Sequence, residues 1–116
     1  MQNSFKENTT LSERIKESSI ILSKYRNRVP IIVEKHETCD LPMIEKYKYL
    51  SPKDLTIAQF MFIIRKHIKL ESSQTLFITI NNELVNSSQK ISDIYSDYKD
   101  KDGFLCIVYT SENTFG

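Results

Sequence analysis

The order of periodicities in the 116-residue chain predicts an α+β domain. A four-stranded mixed sheet is crossed by one helix, and an extra helical segment precedes it. Two boxes of the form hydroxyl-x-x-Glu/Gln, Thr10-Leu11-Ser12-Glu13 and Thr56-Ile57-Ala58-Gln59, mark helix starts. In each, the hydroxyl accepts from the N3 amide while the N3 side chain reaches back to the N-cap amide. Short runs rich in β-branched and aromatic residues lie between turn signals at Pro52, Asn81-Asn82 and Gly103. An apolar content of 40% with 27% charged residues fits a single globular domain, long enough to bury one core without staples.

After the first box, Leu11, Ile15, Ser18, Leu22 and Tyr25 recur at helical spacing, which gives a helix over about 11–24. It is expected to dock on the sheet through Leu11, Ile15 and Leu22. Whether residues 1–9 form a further short helix stays open. Residues 29–35 alternate, with Val29, Ile31 and Val33 facing the core and Pro30, Ile32 and Glu34 facing away. Pro30 cannot donate to a ladder, so it belongs near a strand start or an edge. Residues 36–44 read as a loop and 46–51 as a second strand ended by Pro52, the pair forming a hairpin. Leu55 and Phe60 flank the second box as a hydrophobic staple. The helix that follows runs to about Ile68, with Ile57, Met61, Ile64 and Ile68 inward. Residues 76–80 form a strand and Asn81-Asn82 a turn. Ile91, Ile94, Tyr95 and Tyr98 mark a short helix, and Lys101-Asp102-Gly103 turns into a last strand over 104–109. A hairpin crossed by one helix, with a further strand returning beside it, is the β-grasp arrangement. The expected organisation is a helical extension over 1–25, the β-grasp domain over 26–110 and a tail over 111–116.

The net charge of +1 hides an uneven layout. From Lys6 to Arg28 there are six basic and three acidic residues, and from Glu45 to Lys69 six and two. Basic sectors on a balanced chain point to an acidic partner rather than to coating of a duplex. No run of about 18 apolar residues offers a membrane span. Met1 to Asn8 lacks the apolar stretch of a signal peptide, so a cytosolic or nuclear address is the default. Cys106 sits in an apolar run and reads as a core residue; Cys39 reads as a thiol in a mobile loop. His36 with Cys39 lacks the orienting group and oxyanion site of a nucleophilic centre and is too small a set for structural zinc. Asp100-Lys101-Asp102-Gly103 fails as a calcium loop, because Tyr98 and Tyr109 fall at its first and last ligand positions. No catalytic, metal or cofactor site is expected.

Several segments in order resemble the autophagy ubiquitin-like modifier family whose animal members include GABARAP. They are Lys24-Tyr25-Arg26-Asn27-Arg28-Val29-Pro30, Ile32-Val33-Glu34-Lys35, Lys48-Tyr49-Leu50-Ser51-Pro52, Asp54-Leu55-Thr56, Gln59-Phe60, Ile64-Arg65-Lys66 and Phe115-Gly116. The resemblance implies conjugation of Gly116 to phosphatidylethanolamine, through activating and conjugating enzymes, with a cysteine protease for deconjugation. A chain that already ends in Gly116 is expected to need no protease step for exposure. Glycine suits this role because a tail without a Cβ threads a narrow channel.

The resemblance also implies recruitment of cargo receptors and adaptors through short aromatic-x-x-aliphatic motifs, in the cytoplasm and on autophagosome or other vesicle membranes. The aromatic pocket would comprise Glu17, Ile21, Pro30, Ile32, Lys48, Leu50 and Phe104. The aliphatic pocket would comprise Tyr49, Ser51, Pro52, Leu55, Phe60 and Ile63. Lys24, Arg28 and Lys46 would meet acidic flanks, and the peptide would pair with the edge near Lys48 to Leu50. Read from the residues alone, Ile21, Ile32 and Leu50 are either covered by the N-terminal helix or exposed for a partner. Departures from the family pattern are Ser51 in place of an aliphatic residue, Arg26 in place of a proline, His67 in place of a basic residue and the loop over 36–44. Two alternatives stay open: a ubiquitin-like module that is never conjugated, and a modifier serving a membrane outside autophagy. RNA binding is disfavoured, because no aromatic-basic stacking motif is present.

Overall fold

The computed structural model describes residues 4–111, with side chains from Phe5 onward. Two helices, α1 (Ser4–Asn8) and α2 (Leu11–Lys24), precede the hairpin of β1 (Arg28–Lys35) and β2 (Lys48–Pro52). Then follow α3 (Ile57–Ile68), β3 (Phe77–Ile80), β4 (Glu83–Leu84), α4 (Ile91–Tyr98) and β5 (Leu105–Thr110). Both capping boxes form. Glu13 N donates to Thr10 Oγ1 at 3.1 Å, and Gln59 N to Thr56 Oγ1 at 3.2 Å, each with the reciprocal bond back to the cap amide.

The sheet runs β2-β1-β5-β3-β4, with β1 and β5 parallel and the other pairs antiparallel. This is the expected ubiquitin-like α+β architecture, with five strands rather than four. The extra strand follows from the Asn81-Asn82 turn. Both asparagines have positive φ, 53° and 66°, the geometry of a tight hairpin turn that folds Glu83–Leu84 back on β3. The core lies between the sheet and α3, where Ile57, Phe60, Ile64 and Ile68 meet Val29, Ile31, Val33, Leu105, Ile107 and Tyr109. Pro30 sits in an interior strand but ahead of the β5 pairing, which begins at Ile31, so its missing donor breaks no rung there.

Two expectations are corrected, and one question left open over residues 1–9 is answered. First, α2 does not dock through Leu11 and Ile15, which are 37% and 42% exposed; its one fully buried residue is Ser18, with Ile21 and Leu22 half-buried. The helix packs through Leu22 on the main core, as expected, and through Ile21 on the second one, and its earlier turns are held by polar bonds to the β5 approach. Ser18 Oγ donates to the Asp102 carbonyl at 2.6 Å, and Arg14 Nε to the buried Asp102 carboxylate at 2.9 Å. Second, α1 adds Phe5, which stacks edge-on against Phe104 at 5.0 Å and covers Ile32 in a small second core. Third, the cysteine roles are reversed. Cys39 is buried in the main core, in a loop pinned by Tyr109 OH to Pro42 O and by Lys35 Nζ to Cys39 O. Strand alternation places Leu105, Ile107 and Tyr109 inward, so Cys106 emerges on the opposite face beside Glu34 Oε1 at 3.2 Å.

Candidate functional site: a two-faced sheet edge

β2 is an edge of the sheet, and its backbone shows which residues can pair outward. Val33 N donates to Tyr47 O at 2.8 Å, which makes that pair a hydrogen-bonded one in the β1–β2 register. Antiparallel pairs alternate, so Ile31 with Tyr49 and Val29 with Ser51 are also hydrogen-bonded, and Lys48 and Leu50 are not. Lys48 and Leu50 therefore direct their N–H and C=O groups away from the sheet, where an added strand would lie. The side chains divide the same way. Tyr49 and Ser51 turn into the core face, while Lys48 and Leu50 project toward the face that α2 covers.

On the α2 face a hollow of about 450 Å³ is lined by Glu17 and Ile21 of α2, Arg28 and Pro30 of β1, Lys46, Lys48, Tyr49, Leu50 and Phe104. Lys48 Nζ reaches Glu17 Oε2 at 2.8 Å, joining the helix to the strand, and also lies 4.7 Å from the Phe5 ring centre. Lys46 Nζ lies 5.0 Å from the Tyr49 ring centre. On the α3 face a smaller hollow of about 220 Å³ is lined by Tyr49, Leu50, Ser51, Pro52, Leu55, Phe60, Ile63 and His67, with Arg28 and Lys46 at both hollows.

Of the residues assigned to an aromatic pocket, Glu17, Ile21, Pro30, Lys48, Leu50 and Phe104 line the larger hollow; Ile32 does not. Phe5 caps it, and it borders a separate small cavity with Met43 and Tyr47. All six residues assigned to an aliphatic pocket line the smaller hollow. Arg28 and Lys46 stand at both, whereas Lys24 lies outside either and stacks on Tyr25 at 5.3 Å. Gly116 lies outside the described residues. Sequence reasoning missed His67, which packs edge-on against Tyr49 at 5.7 Å, and Phe5, which shapes the neighbouring surface. The helical spacing of His67 from Phe60 and Ile63 was the available signal for the first.

Burial raises the Tyr49 phenol to about 12, and its hydroxyl has no hydrogen-bond partner among the described residues. Ser51 is 3% exposed and satisfies its hydroxyl locally on Pro52 O at 3.1 Å. Among the described residues no group of three or more His, Cys, Asp or Glu is placed to hold a metal.

The model of the family described as "Autophagy protein Atg8 ubiquitin like" matches residues 13–116. The chain belongs to the Atg8 family of autophagy ubiquitin-like proteins. Autophagy-related protein 8 of Vanderwaltozyma polyspora is 46% identical over 116 residues, covering the whole chain and 98% of the relative. Autophagy-related protein 8b of Arabidopsis thaliana is 48% identical over 115 residues, 99% of this chain and 94% of the relative. Among solved structures, ATG8 of Trypanosoma brucei superposes with a TM-score of 0.91 at 36% identity over 97% of both chains. Atg8 of Plasmodium falciparum, solved in complex with a peptide of Plasmodium falciparum Atg3, superposes at 0.85 with 33% identity over 93% of this chain and 95% of that one. Membership makes this Atg8-family protein an autophagy modifier of the ubiquitin-like type.

Proposed function

We propose that this Atg8-family chain is conjugated through Gly116 to phosphatidylethanolamine and then recruits partners that carry an aromatic-x-x-aliphatic motif. The motif adds as a strand to β2. One observation carries the peptide half of this reading: the two hollows lie on opposite faces of one sheet edge, either side of Lys48 to Leu50. Side chains three apart in an extended peptide point to opposite faces. An i, i+3 spacing therefore sends the aromatic residue under α2 and the aliphatic one beside α3, while backbone bonds to Lys48 and Leu50 hold the strand. The larger hollow suits the larger side chain. Arg28, Lys46 and Lys48 favour acidic residues ahead of the aromatic one, mainly through encounter rate. The Plasmodium relative's complex with an Atg3 peptide supports conjugating-enzyme contact by the same family, and activating enzyme, deconjugating protease and cargo receptors follow from the same reading. The lipidated form resides on autophagosome or other vesicle membranes and the unconjugated form in the cytoplasm.

Titration calorimetry with an acidic aromatic-x-x-aliphatic peptide tests the groove. Leu50→Ala removes a wall shared by both hollows, and a hot-spot loss of about 2 kcal/mol weakens binding at least tenfold. A peptide with one spacer, which places both anchors on one face, should lose a similar factor. Equal binding of the two spacings sinks the two-faced reading. For the tail, Gly116→Ala should abolish lipid attachment in a reconstituted conjugation reaction followed by mass spectrometry; an intact yield rules out Gly116 as the attachment point.

A further inference from the structure

The outer face of α3 takes no part in either hollow. At 100° per residue, Ile57, Phe60, Ile64 and Ile68 form the inward stripe, and Ala58, Phe62, Lys66 and Lys69 fall on the opposite one. Phe62 is 61% exposed, the highest value for a large apolar side chain among the described residues. A lone exposed apolar residue is ordinary, so exposure alone decides nothing; its setting does. Lys66 Nζ lies 4.6 Å from the Phe62 ring centre, and Arg65, Lys69 and Leu70 share the same shallow hollow. The helix contains no acidic residue. Two acids lie near: Glu45 pairs with Lys69 at 2.8 Å with both side chains mostly exposed, and Glu71 gives a backbone carbonyl to Arg65. Arg65 is fixed by that bond and by Gln74 O, whereas Lys66 and Lys69 are exposed and able to swing outward.

The position of this face matters as much as its chemistry. The Arg65–Gln74 bond ties the end of α3 to the segment that leads into β3, and Phe77 of β3 pairs with Thr110, the last residue of β5. The basic-aromatic face therefore adjoins the end of the molecule from which the chain leaves toward Gly116. Five residues beyond Ser111 reach at most about 17 Å when extended. A lipid on Gly116 would hold a bilayer within that distance.

We infer that the outer face of α3, with Phe62 as the apolar wedge and Lys66 and Lys69 around it, is a contact for an anionic phospholipid surface; this rests on the reading of Gly116 as the lipid-bearing residue. An aromatic ring flanked by long basic side chains matches the interface between headgroups and acyl chains, where the ring enters and the ammonium groups stay in the headgroup layer. A convex helix face lies against a plane, whereas an acidic peptide is better served by the grooved edge at β2.

The chain has no tryptophan, so Phe62→Trp introduces a single indole as reporter. In a Cys106→Ser background, with Cys39 buried, Gly116→Cys coupled to a maleimide-headed phospholipid tethers the full chain to vesicles without any conjugating enzyme. On phosphatidylcholine vesicles containing a minor fraction of phosphatidylserine, the emission should shift to the blue and be quenched by brominated acyl chains. Lys66→Ala in the same background should lower the equilibrium between inserted and withdrawn indole about fivefold. Solution-like, unquenched emission on tethered vesicles overturns the inference. A blue shift that grows with protein concentration without vesicles assigns the face to a second copy, and one produced by a free acidic peptide assigns it to a peptide; either result also overturns it. Because the tether is chemical, failure of enzymatic conjugation of the unmodified chain would count against Gly116 and leave this readout intact.

Discussion

Removing Arg14 tests whether the N-terminal helix is held by a buried polar latch. The Arg14 and Asp102 side chains are 12% and 2% exposed, with Nε at 2.9 Å from Oδ2. Asp102 also accepts the Phe104 amide through Oδ1 at 2.9 Å and offers its carbonyl to Ser18. Arg14→Ala leaves that carboxylate buried with its charge unpaired, a change that costs about 3 kcal/mol, at the low end for a broken buried pair. At roughly 4 °C per kcal/mol for a domain of this size, the melting midpoint should fall by about 12 °C. By contrast, Lys48→Ala breaks the exposed Lys48–Glu17 pair and should cost less than about 1 kcal/mol. Gly103→Ala attacks the same latch by volume. Gly103 has φ +88°, and a Cβ there would overlap Ser18 Oγ and come within 2.9 Å of Ser18 Cβ. Since Glu17 and Ile21 of α2 line the larger hollow, both variants should also lower peptide affinity by reducing the binding-competent fraction. Thermal melts with parallel calorimetry decide the matter. An Arg14→Ala loss below about 1 kcal/mol, the range of exposed pairs, would refute the latch.

Three further outcomes are expected. Ser51→Val should raise affinity for the aliphatic anchor about fourfold per added methylene that the peptide contacts; higher stability with unchanged affinity would assign Ser51 to the core alone. Tyr49→Phe removes a buried hydroxyl without a partner and should raise the melting midpoint by about 4 °C, for about 1 kcal/mol regained, whereas a fall would show that the hydroxyl is bonded. Burial raises the Glu34 carboxyl above its ordinary 4.5, more than the Cys106 thiol bond lowers it. The folded state therefore holds the proton more tightly than the unfolded one, and this contribution is present on the acid side of 4.5 and lost as pH rises through the raised folded value. Glu34→Gln should stabilise the fold at neutral pH relative to the native chain and show little difference at acid pH; the reverse pattern in urea melts would contradict the sign.

Most elements were legible because their signals are local. Capping boxes at Thr10 and Thr56 fix two helix starts within a residue, and alternation in β1 fixes its inward face. The docking of α2 was not legible by the same means. The stripe carrying Leu11, Ile15, Ser18 and Leu22 does face the sheet, yet its first turns are fastened by Ser18 and the adjacent Arg14 rather than by Leu11 and Ile15, and their partner, Asp102, is 84 residues or more away in sequence. The β3–β4 hairpin was half legible: Asn81-Asn82 announced a turn, but a two-residue strand carries no periodicity. The division of the site into two hollows came from the resemblance. Ile32 shows the limit of that route, since the pattern that points it away from the core says nothing of Phe5, which covers it.

The edge itself combines charge and backbone in one contact. Leu50 presents an outward carbonyl, and Arg28 donates to it at 3.0 Å from the neighbouring strand. An exposed edge of this kind invites unspecific strand addition, and a basic side chain lying across it blunts that tendency. Arg28 also stands at both hollows, so an acidic residue of an incoming peptide can draw the guanidinium off the carbonyl as the peptide backbone takes its place. The exposed bond that is broken contributes about 1 kcal/mol, and the charge-assisted bond gained in exchange is stronger than a neutral one. A peptide without acidic residues gains no such compensation. On the proposed peptide reading, a preference for acidic flanks would arise from displacement of an internal bond as well as from long-range attraction, and this component would persist in salt because it acts at contact distance.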